Sequence, residues 1–313
     1  MSTSEAPSRS SRIPDDPGAH VPAWAWRAET LGTGGQLELK SGVLDHFDRG
    51  TGRPVVFAHG WMANANLWRH VVDRLAGELR CITLDLPLGA HRRAMGPSAD
   101  LTPEGCARLI LEAIESLDLR DVTLVGNDSG GAYSQIATAA DPDRIGRLVL
   151  NSCESPFDEF PPPPFDGLPE VAADVDGLGE LLGALREPAT RALPQAFGWL
   201  IKHPGSVDER AWQSYTLAAL ADRAILEDTA AAMSAASTAS VHAAGEQLIA
   251  SFDRPVRFLW SPEDLVFPVA HAYRYADALA AAEVTLIDDA YSFTPEDQPD
   301  AFADALAAFI RAT

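Results

Sequence analysis

The sequence predicts an α/β fold: a mostly parallel, eight-stranded sheet with helices on both faces and a helical cap inserted after the sixth strand. Short β-branched and apolar runs alternate with Ala- and Leu-rich helical stretches, which is typical of βαβ units. Hydrophobic residues make up 46% of the 313 residues and charged residues 22%, as in ordinary globular proteins. The apolar runs are of strand length, well short of a membrane span, so an integral membrane protein is excluded.

Eight apolar runs are predicted as strands. Only Ser41 and Gly42 separate the first two, which therefore form an antiparallel hairpin. The strands are expected at residues 36–40, 43–47, 55–59, 81–86, 122–127, 147–151, 256–260 and 284–288. Helices are expected between most of them, and a closing helix at about 298–311.

A long excursion separates the sixth and seventh strands. It opens with the stiff polyproline run Pro161 to Pro164 and later contains an Ala-rich stretch, 229–244, that predicts a helix. An insertion at this point of an α/β sheet lies above the carboxyl ends of the strands, where such sheets bind ligands. We therefore predict a helical cap over residues 153–250 and a core formed by 31–152 and 251–313.

The first thirty residues differ in composition from the rest. Residues 1–30 begin with a polar stretch that lacks the apolar segment of a secretory signal. They are predicted as a disordered or loosely docked tail that ends where Trp24 and Trp26 dock. Three cysteines, Cys81, Cys106 and Cys153, are an odd number and fit a reducing compartment, so a cytoplasmic protein is expected.

The charge and the short motifs limit the function classes. Forty-five acidic against 24 basic residues give a formal charge of −21, which repels phosphate backbones and excludes nucleic acid as a partner. The sequence contains no glycine-rich phosphate loop, dinucleotide fingerprint or metal-ligand cluster, so neither a cofactor nor a metal is expected. The expected partner is a small-molecule substrate, and the sequence leaves monomer and homodimer open.

The strand at 122–127 leads into a turn that carries chemistry. Gly126 and Gly130 flank Asp128, and a helix-forming stretch follows, which is the strand–turn–helix pattern of a nucleophile elbow. The glycines are needed because the turn is tight and its central backbone strained. The pattern makes Asp128 the central residue. Ser129 at the centre is disfavoured, because the pattern would then require a glycine at position 127, where the sequence has Asn127.

A second turn, His59-Gly60-Trp61, follows the strand at 55–59. The backbone N–H of Trp61 can point toward the elbow and, with the N–H of Ser129, form an anion-binding pair for a developing oxyanion. The imidazole of His59 is expected to brace this turn rather than to react. Trp61 is also predicted to line the substrate pocket.

Two carboxylates could complete a catalytic group. Asp264 lies four residues beyond the last aromatic of the strand 256–260, in a loop closed by Pro268, where a triad acid would orient a histidine. The neighbouring Glu263 is expected to be solvated. Glu154, just past the sixth strand, is the alternative acid.

The turn at residues 59–61, the elbow at Asp128 and the loop of Asp264 come in an order that resembles the α/β-hydrolase superfamily. The resemblance covers roughly residues 35–313. An aspartate at the elbow is most similar to the haloalkane dehalogenase and epoxide hydrolase branch. The resemblance implies Asp128 as nucleophile, the backbone N–H groups of Trp61 and Ser129 as oxyanion hole, and Asp264 as acid.

The sequence departs from this pattern at the position of the catalytic histidine. The loop after the last strand places Ser292 there, followed by Phe293, and no histidine occurs from residue 272 to 313. The branch also tends to have a tryptophan after the nucleophile, where this chain has Ser129. A serine cannot serve as a base at neutral pH, so an ester formed on Asp128 would be cleaved slowly.

The remaining candidates are stand-in bases and pocket residues. His91, after the fourth strand, is the first candidate for a displaced base, and His203 and His242 of the cap are others. Substrate-binding side chains are predicted at Trp61, Phe157, Trp199, Tyr215 and Tyr291. Further cap aromatics that could form the pocket wall are Phe160, Phe165, Phe197 and Trp212.

Three functional hypotheses follow. The first is a hydrolase of the Asp-nucleophile type acting at Asp128 on a small, largely apolar substrate with a non-standard or missing base. The second is a non-hydrolytic cyclase, lyase or isomerase in which Asp128 is a general acid or base. The third is a ligand-binding pseudoenzyme.

Overall fold

The computed structural model of the protein describes residues 21–313. Its centre is one eight-stranded sheet with the strand order β1-β2-β4-β3-β5-β6-β7-β8. The strands are β1 (Thr33–Leu39), β2 (Gly42–Arg49), β3 (Arg53–Ala58), β4 (Leu79–Leu84), β5 (Val122–Asn127), β6 (Ile145–Asn151), β7 (Val256–Trp260) and β8 (Ala282–Leu286). The hairpin β1–β2 is antiparallel, β2 runs antiparallel to β4, and all other neighbours are parallel. The predicted fold class is confirmed, with the last strand beginning two residues earlier than expected.

Helices cover both faces of the sheet. The core helices are α1 (Arg69–Leu75), α2 (Pro103–Ser116), α3 (Ser129–Ala140), α11 (Val269–Ala278), α12 (Thr294–Asp297) and α13 (Pro299–Ala312). Their starts follow local sequence rules: α2 begins with Pro103 after Thr102, whose hydroxyl accepts a hydrogen bond from the Gly105 amide at 3.2 Å. The central strand β5 is buried along its whole length, as expected for a parallel strand covered on both faces.

The excursion between β6 and β7 is helical. It contains α4 (Leu168–Ala172), α5 (Val175–Gly183), α6 (Pro188–Arg191), α7 (Glu209–Thr216), α8 (Ala218–Ala221), α9 (Arg223–Ser234) and α10 (Thr238–Ser251). Shorter turns at Ala184–Arg186, Pro194–Gly198 and Pro204–Ser206 connect them.

The predicted cap, residues 153–250, ends within helix α10 (Thr238–Ser251). Helix α10 packs along α3 of the core, and the Gln247 side chain donates to the Ala139 carbonyl at 2.6 Å. The Ala-rich stretch is interrupted before α10, where Ser237 caps the new helix by accepting from the Ser240 amide at 3.4 Å. The start of α10 at the Ser237 cap and its packing on α3 set this helix apart from those before it, and α10 leads into β7.

The N-terminal segment is docked more firmly than predicted. Residues 1–20 of the predicted tail lie outside the described residues, but Arg27 is buried and forms a bidentate ion pair with Asp85 at 2.7–3.1 Å. The same guanidinium donates to the Ala90 carbonyl at 2.7 Å. Because a buried charge is costly unless it is paired, this contact fixes residues 21–31 to the end of β4.

The remaining features concern the cysteine thiols and the lengths of the helices in the described residues. Cys81, Cys106 and Cys153 are buried free thiols. No helix between residues 21 and 313 is both long enough and apolar enough to cross a bilayer.

Candidate active site

The turn between β5 and α3 has the geometry of an elbow. Asp128 stands at its apex with φ +54° and ψ −142°, a conformation that is strained for a residue with a side chain. A Cβ at Gly126 would lie 2.5 Å from the Gly130 carbonyl oxygen, and one at Gly130 would lie 2.4 Å from the Ala58 carbonyl oxygen. Both positions therefore require glycine, which is the physical reason for the spacing in the sequence.

Asp128 is held against the turn after β3. The Ser129 amide donates a very short hydrogen bond to Asp128 Oδ1. A Cβ at Gly60 would lie 2.6 Å from the Asp128 Cβ, so the absent side chain leaves room for the carboxyl group. The pKa of Asp128 is raised to about 6, first by burial and also by the charge of Asp264, against hydrogen bonds from Ser129 that lower it.

The two backbone amides of the predicted oxyanion hole do not point at one common site. The Ser129 amide contacts the Asp128 carboxylate, whereas the Trp61 amide donates to the Ser129 hydroxyl at 2.9 Å. The Ser129 side chain thus stands between the Trp61 amide and the elbow. The Trp61 indole N–H donates to the Tyr133 hydroxyl at 2.9 Å.

His59 braces its turn, as expected. Its Nε2 accepts a hydrogen bond from the Leu86 amide at 2.9 Å, and its Nδ1 donates to the Gly60 carbonyl at 2.9 Å. Burial lowers the pKa of His59 to about 4, so the ring is neutral at physiological pH.

Asp264 and Ser292 meet beside the elbow. The Ser292 hydroxyl donates to Asp264 Oδ1 at 2.8 Å, and the amides of Val266 and Phe267 donate to the same oxygen at 2.9 and 2.8 Å. Burial raises the pKa of Asp264 to about 6, against the effect of these hydrogen bonds. The Ser292 carbonyl accepts from Asn127, the residue before Asp128, at 2.8 Å. The serine therefore occupies the place between acid and elbow.

A cavity of about 340 Å³ lies between the elbow and the cap. Asp128 forms part of the cavity wall, and most of the other lining residues are apolar. Leu181 and Leu193, 45% exposed each, mark its opening. The lining residues are Trp61, Met62, Asp128, Glu154, Pro161, Pro162, Phe165, Leu168, Leu181, Leu182, Ala184, Leu185, Thr190, Leu193, Gln195, Ala196, Phe197, Leu200, Met233 and Phe267.

Comparison with known proteins places this architecture in a family. The model of the alpha/beta hydrolase family matches residues 55–305. The chain belongs to this family. A haloalkane dehalogenase from Agrobacterium fabrum (strain C58 / ATCC 33970) is 37% identical over 103 residues, which is 33% of this chain and 33% of the dehalogenase. The match thus spans about a third of that relative's length.

Two longer matches cover most of the chain. An uncharacterized protein of Mycobacterium tuberculosis (strain ATCC 25618 / H37Rv) is 25% identical over 272 residues, 84% of this chain and 77% of that protein. The solved structure of the haloalkane dehalogenase DatA from Agrobacterium tumefaciens C58 superimposes with a TM-score of 0.75 at 20% identity, covering 92% of this chain and all of that one. The family model confirms the resemblance to the α/β hydrolases, and the similarity to haloalkane dehalogenase sequences extends over about a third of the chain.

Of the substrate-binding residues predicted for this α/β hydrolase family member, only Trp61 lines the cavity. Phe157 instead packs edge-on against Tyr275, with the Arg274 guanidinium 3.7 Å above its ring. Tyr215 is fully buried, and its hydroxyl donates to Glu296 at 2.6 Å.

The other two predicted pocket residues, Trp199 and Tyr291, are half-buried outside the cavity lining. The Trp199 ring packs on the core, and the Tyr291 amide donates to Asp297 at 3.0 Å. The aromatic wall comes instead from Phe165 and Phe197, two of the cap aromatics noted in the sequence, and from Phe267.

The candidate replacement bases lie elsewhere in the described part of the chain. His91 Nε2 is 3.2 Å from Asp228, His203 Nε2 is 3.1 Å from Asp289, and His242 Nε2 donates to the Asp158 carbonyl at 2.8 Å. Among residues 21–313, no histidine lines the cavity.

Glu154 is the second carboxyl group of the cavity wall. It is 2% exposed, and within the described residues its Oε2 has no hydrogen-bond partner. Burial, followed by the charge of Asp128, raises the pKa of Glu154 well above its ordinary value. The signal in the sequence is a charged residue three positions after the end of a buried strand. It indicated an acid but not that its side chain faces the cavity.

Proposed function

We propose that this α/β hydrolase family enzyme attacks a small, largely apolar organic substrate with the Asp128 carboxylate and forms a covalent ester. One observation carries the proposal: Asp128 stands at the apex of a glycine-flanked elbow and faces an apolar cavity, with one carboxylate oxygen held by the Ser129 amide. That contact leaves the other oxygen available for attack. The relatives named haloalkane dehalogenases make an alkyl halide the first substrate to test.

The chemistry assigned to Asp128 is a displacement followed by hydrolysis. An oxygen of the Asp128 carboxylate forms a bond to the substrate carbon as the leaving group departs with its electron pair. Water then attacks the Asp128 carbonyl carbon, and the Ser129 amide stabilises the oxyanion of the tetrahedral intermediate. Ser292 accepts no proton at neutral pH, so this second step lacks the histidine base that typically contributes about 10²–10⁴-fold.

Intact-mass spectrometry after exposure to alkyl bromides, epoxides and esters tests the proposal. The expected result is an adduct that maps to Asp128 and is absent from Asp128→Asn. Single-turnover hydrolysis in H₂¹⁸O should place ¹⁸O in the Asp128 carboxylate, because water attacks the ester carbonyl. Placing a histidine beside Asp264, with Ser292→His, should shorten the adduct lifetime. If the ¹⁸O of the first turnover appears only in the product, Asp128 is not a nucleophile.

A second candidate function is favoured by the missing histidine and the apolar cavity. In a cyclase, lyase or isomerase, Asp128 would move a proton without forming an ester, and its raised pKa suits that task. This function predicts a product of unchanged mass, or an elimination product, with no adduct at any time. Tight binding without any product would instead identify a ligand-binding protein without turnover.

A further inference from the structure

The cavity brings two carboxyl groups into one apolar space. The ends of β5 and β6 are paired in register, Asn127 opposite Asn151, so Asp128 and Glu154 follow neighbouring strand ends. Both side chains line the cavity, together with Phe197, Leu200 and Phe267. In the described part of the chain no lysine, arginine or histidine lines it. Nothing in the wall therefore offsets a second negative charge.

The surroundings distinguish the two carboxyl groups. The Asp128 carboxylate accepts the Ser129 amide at the start of the twelve-residue helix α3, where the helix dipole favours negative charge. Glu154 is positioned by its backbone, whose carbonyl accepts from the Gln135 side chain at 2.7 Å, while its Oε2 is buried without a partner. The negative charge is therefore expected on Asp128 and the proton on Glu154.

We propose that Glu154 is the acid and base of this site and acts directly on substrate and water in place of a histidine. The inference rests on Asp128 being the nucleophile. It also narrows the substrate class: a protonated carboxyl group next to the nucleophile assists a leaving group that is an oxygen, for which a small epoxide is the probe.

The proton balance closes over two steps. In the first, Asp128 forms a C–O bond to an epoxide carbon, the epoxide C–O bond breaks, and the alkoxide takes the proton of Glu154. In the second, the Glu154 carboxylate takes a proton from the water that attacks the Asp128 ester. The ester C–O bond to the Asp128 carbonyl carbon breaks, and the leaving alkoxide takes the second proton of the water. The products are a diol, the Asp128 carboxylate and protonated Glu154. One carboxyl group serving first as acid and then as base is the logic of retaining glycosidases.

The test compares wild type with Glu154→Gln on two probes of the same chain length, 1,2-epoxyhexane and 1-bromohexane. The epoxide needs a proton on its leaving oxygen, whereas bromide departs without one. In Glu154→Gln the epoxide adduct should form about 10²–10⁴-fold more slowly. The bromide adduct should form at nearly the wild-type rate but persist. In wild type, the ester removes the Asp128 charge that holds the proton on Glu154, so Glu154 releases this proton to solvent and serves as the base, whereas glutamine cannot. Glu159→Gln, the same chemical change on an exposed carboxyl group outside the cavity lining, should behave like wild type.

A pH profile gives a readout that does not depend on the variant. In wild type, adduct formation from the epoxide should decline as rising pH removes the Glu154 proton, whereas adduct formation from the bromide should not.

The outcomes separate this inference from the proposed function. A bromide adduct on Asp128 that clears equally fast in wild type and Glu154→Gln, with epoxide rates within threefold, overturns the role of Glu154 alone. An absence of any Asp128 adduct in wild type overturns both.

Discussion

Asp128, Glu154 and Asp264 are three carboxyl groups whose pKa values burial raises within one small region. Only Asp128 combines a strained backbone, an amide partner and access to the cavity. Burial of the Asp128 carboxylate should therefore lower the free energy of unfolding, and this loss can be measured without an activity assay.

Asp128→Asn should make the protein more stable at neutral pH. The pKa of Asp128 is raised from 3.8 to about 6 on folding, so between pH 4 and 6 the native state binds more protons than the unfolded state. The free energy of unfolding therefore falls as pH rises through this window. The asparagine variant avoids that loss. Urea unfolding should show it to be more stable than wild type at pH 7.5, by at most about 3 kcal/mol, and equal to wild type near pH 4.

The control is Asp253→Asn, which removes an exposed carboxyl group by the same chemical change. Its free energies of unfolding at pH 7.5 and near pH 4 should differ by the same amount as those of wild type. A lower stability of Asp128→Asn at pH 7.5 would mean that the carboxylate is favoured by the fold, and that burial does not dominate its pKa.

At the scale of the elements, the cap is tied to the core by a buried polar group. Tyr215 of α7 donates to Glu296 of α12 at 2.6 Å, and Glu296 also pairs with Arg69 of α1 at 2.5 Å. All three side chains are buried. A residue predicted to bind substrate therefore joins three helices instead.

Tyr215→Phe should weaken folding without affecting the cavity. The change removes one hydrogen bond to a charged acceptor, while Glu296 keeps its Arg69 partner. We expect a loss of about 1–3 kcal/mol in the free energy of unfolding by urea, with adduct formation at Asp128 unchanged. Tyr273→Phe, on a side chain that is 46% exposed, should cost less than about 0.5 kcal/mol. Impaired adduct formation in Tyr215→Phe would return this residue to the active site.

The contrast between Asp128 and Tyr215 shows what sequence can predict of this site. Asp128 and Asp264 lie in short loops after β5 and β7, so local spacing was enough to predict that both are found at this edge of the sheet. Ser292 was predicted from the resemblance to the α/β-hydrolase superfamily, because it lies where that pattern has its histidine. The role of Tyr215 depends on Glu296, 81 residues further along, and no local pattern reports such a pairing. The cap aromatics are equally hydrophobic whether they face the cavity or the core.

At the scale of the whole molecule, local sequence predicts the strands and helices but not how they pack against each other. The eight strands and the β1–β2 hairpin follow from local apolar runs and a two-residue turn. The packing of α10 could not be predicted, because an Ala-rich sequence with small side chains on every face does not indicate which face is buried. Only the packing of α10 along α3 assigns that helix to the core.

The net charge is a property of the molecule as a whole, and it should make stability depend on salt. The formal charge is −21, so the negative groups repel one another in the compact state, and unfolding moves them apart. Raising NaCl from 0.01 to 0.1 M shortens the Debye length from about 30 to about 10 Å and screens this repulsion. Tm measured by circular dichroism at pH 7.5 should therefore rise, by roughly 2 °C for each 1 kcal/mol gained. Near pH 5, close to the isoelectric point of about 4.6, the rise should largely vanish because the net charge does. A Tm that falls with salt at pH 7.5 would mean that the surface ion pairs, such as Arg74 with Asp304 at 2.9 Å, outweigh the net repulsion.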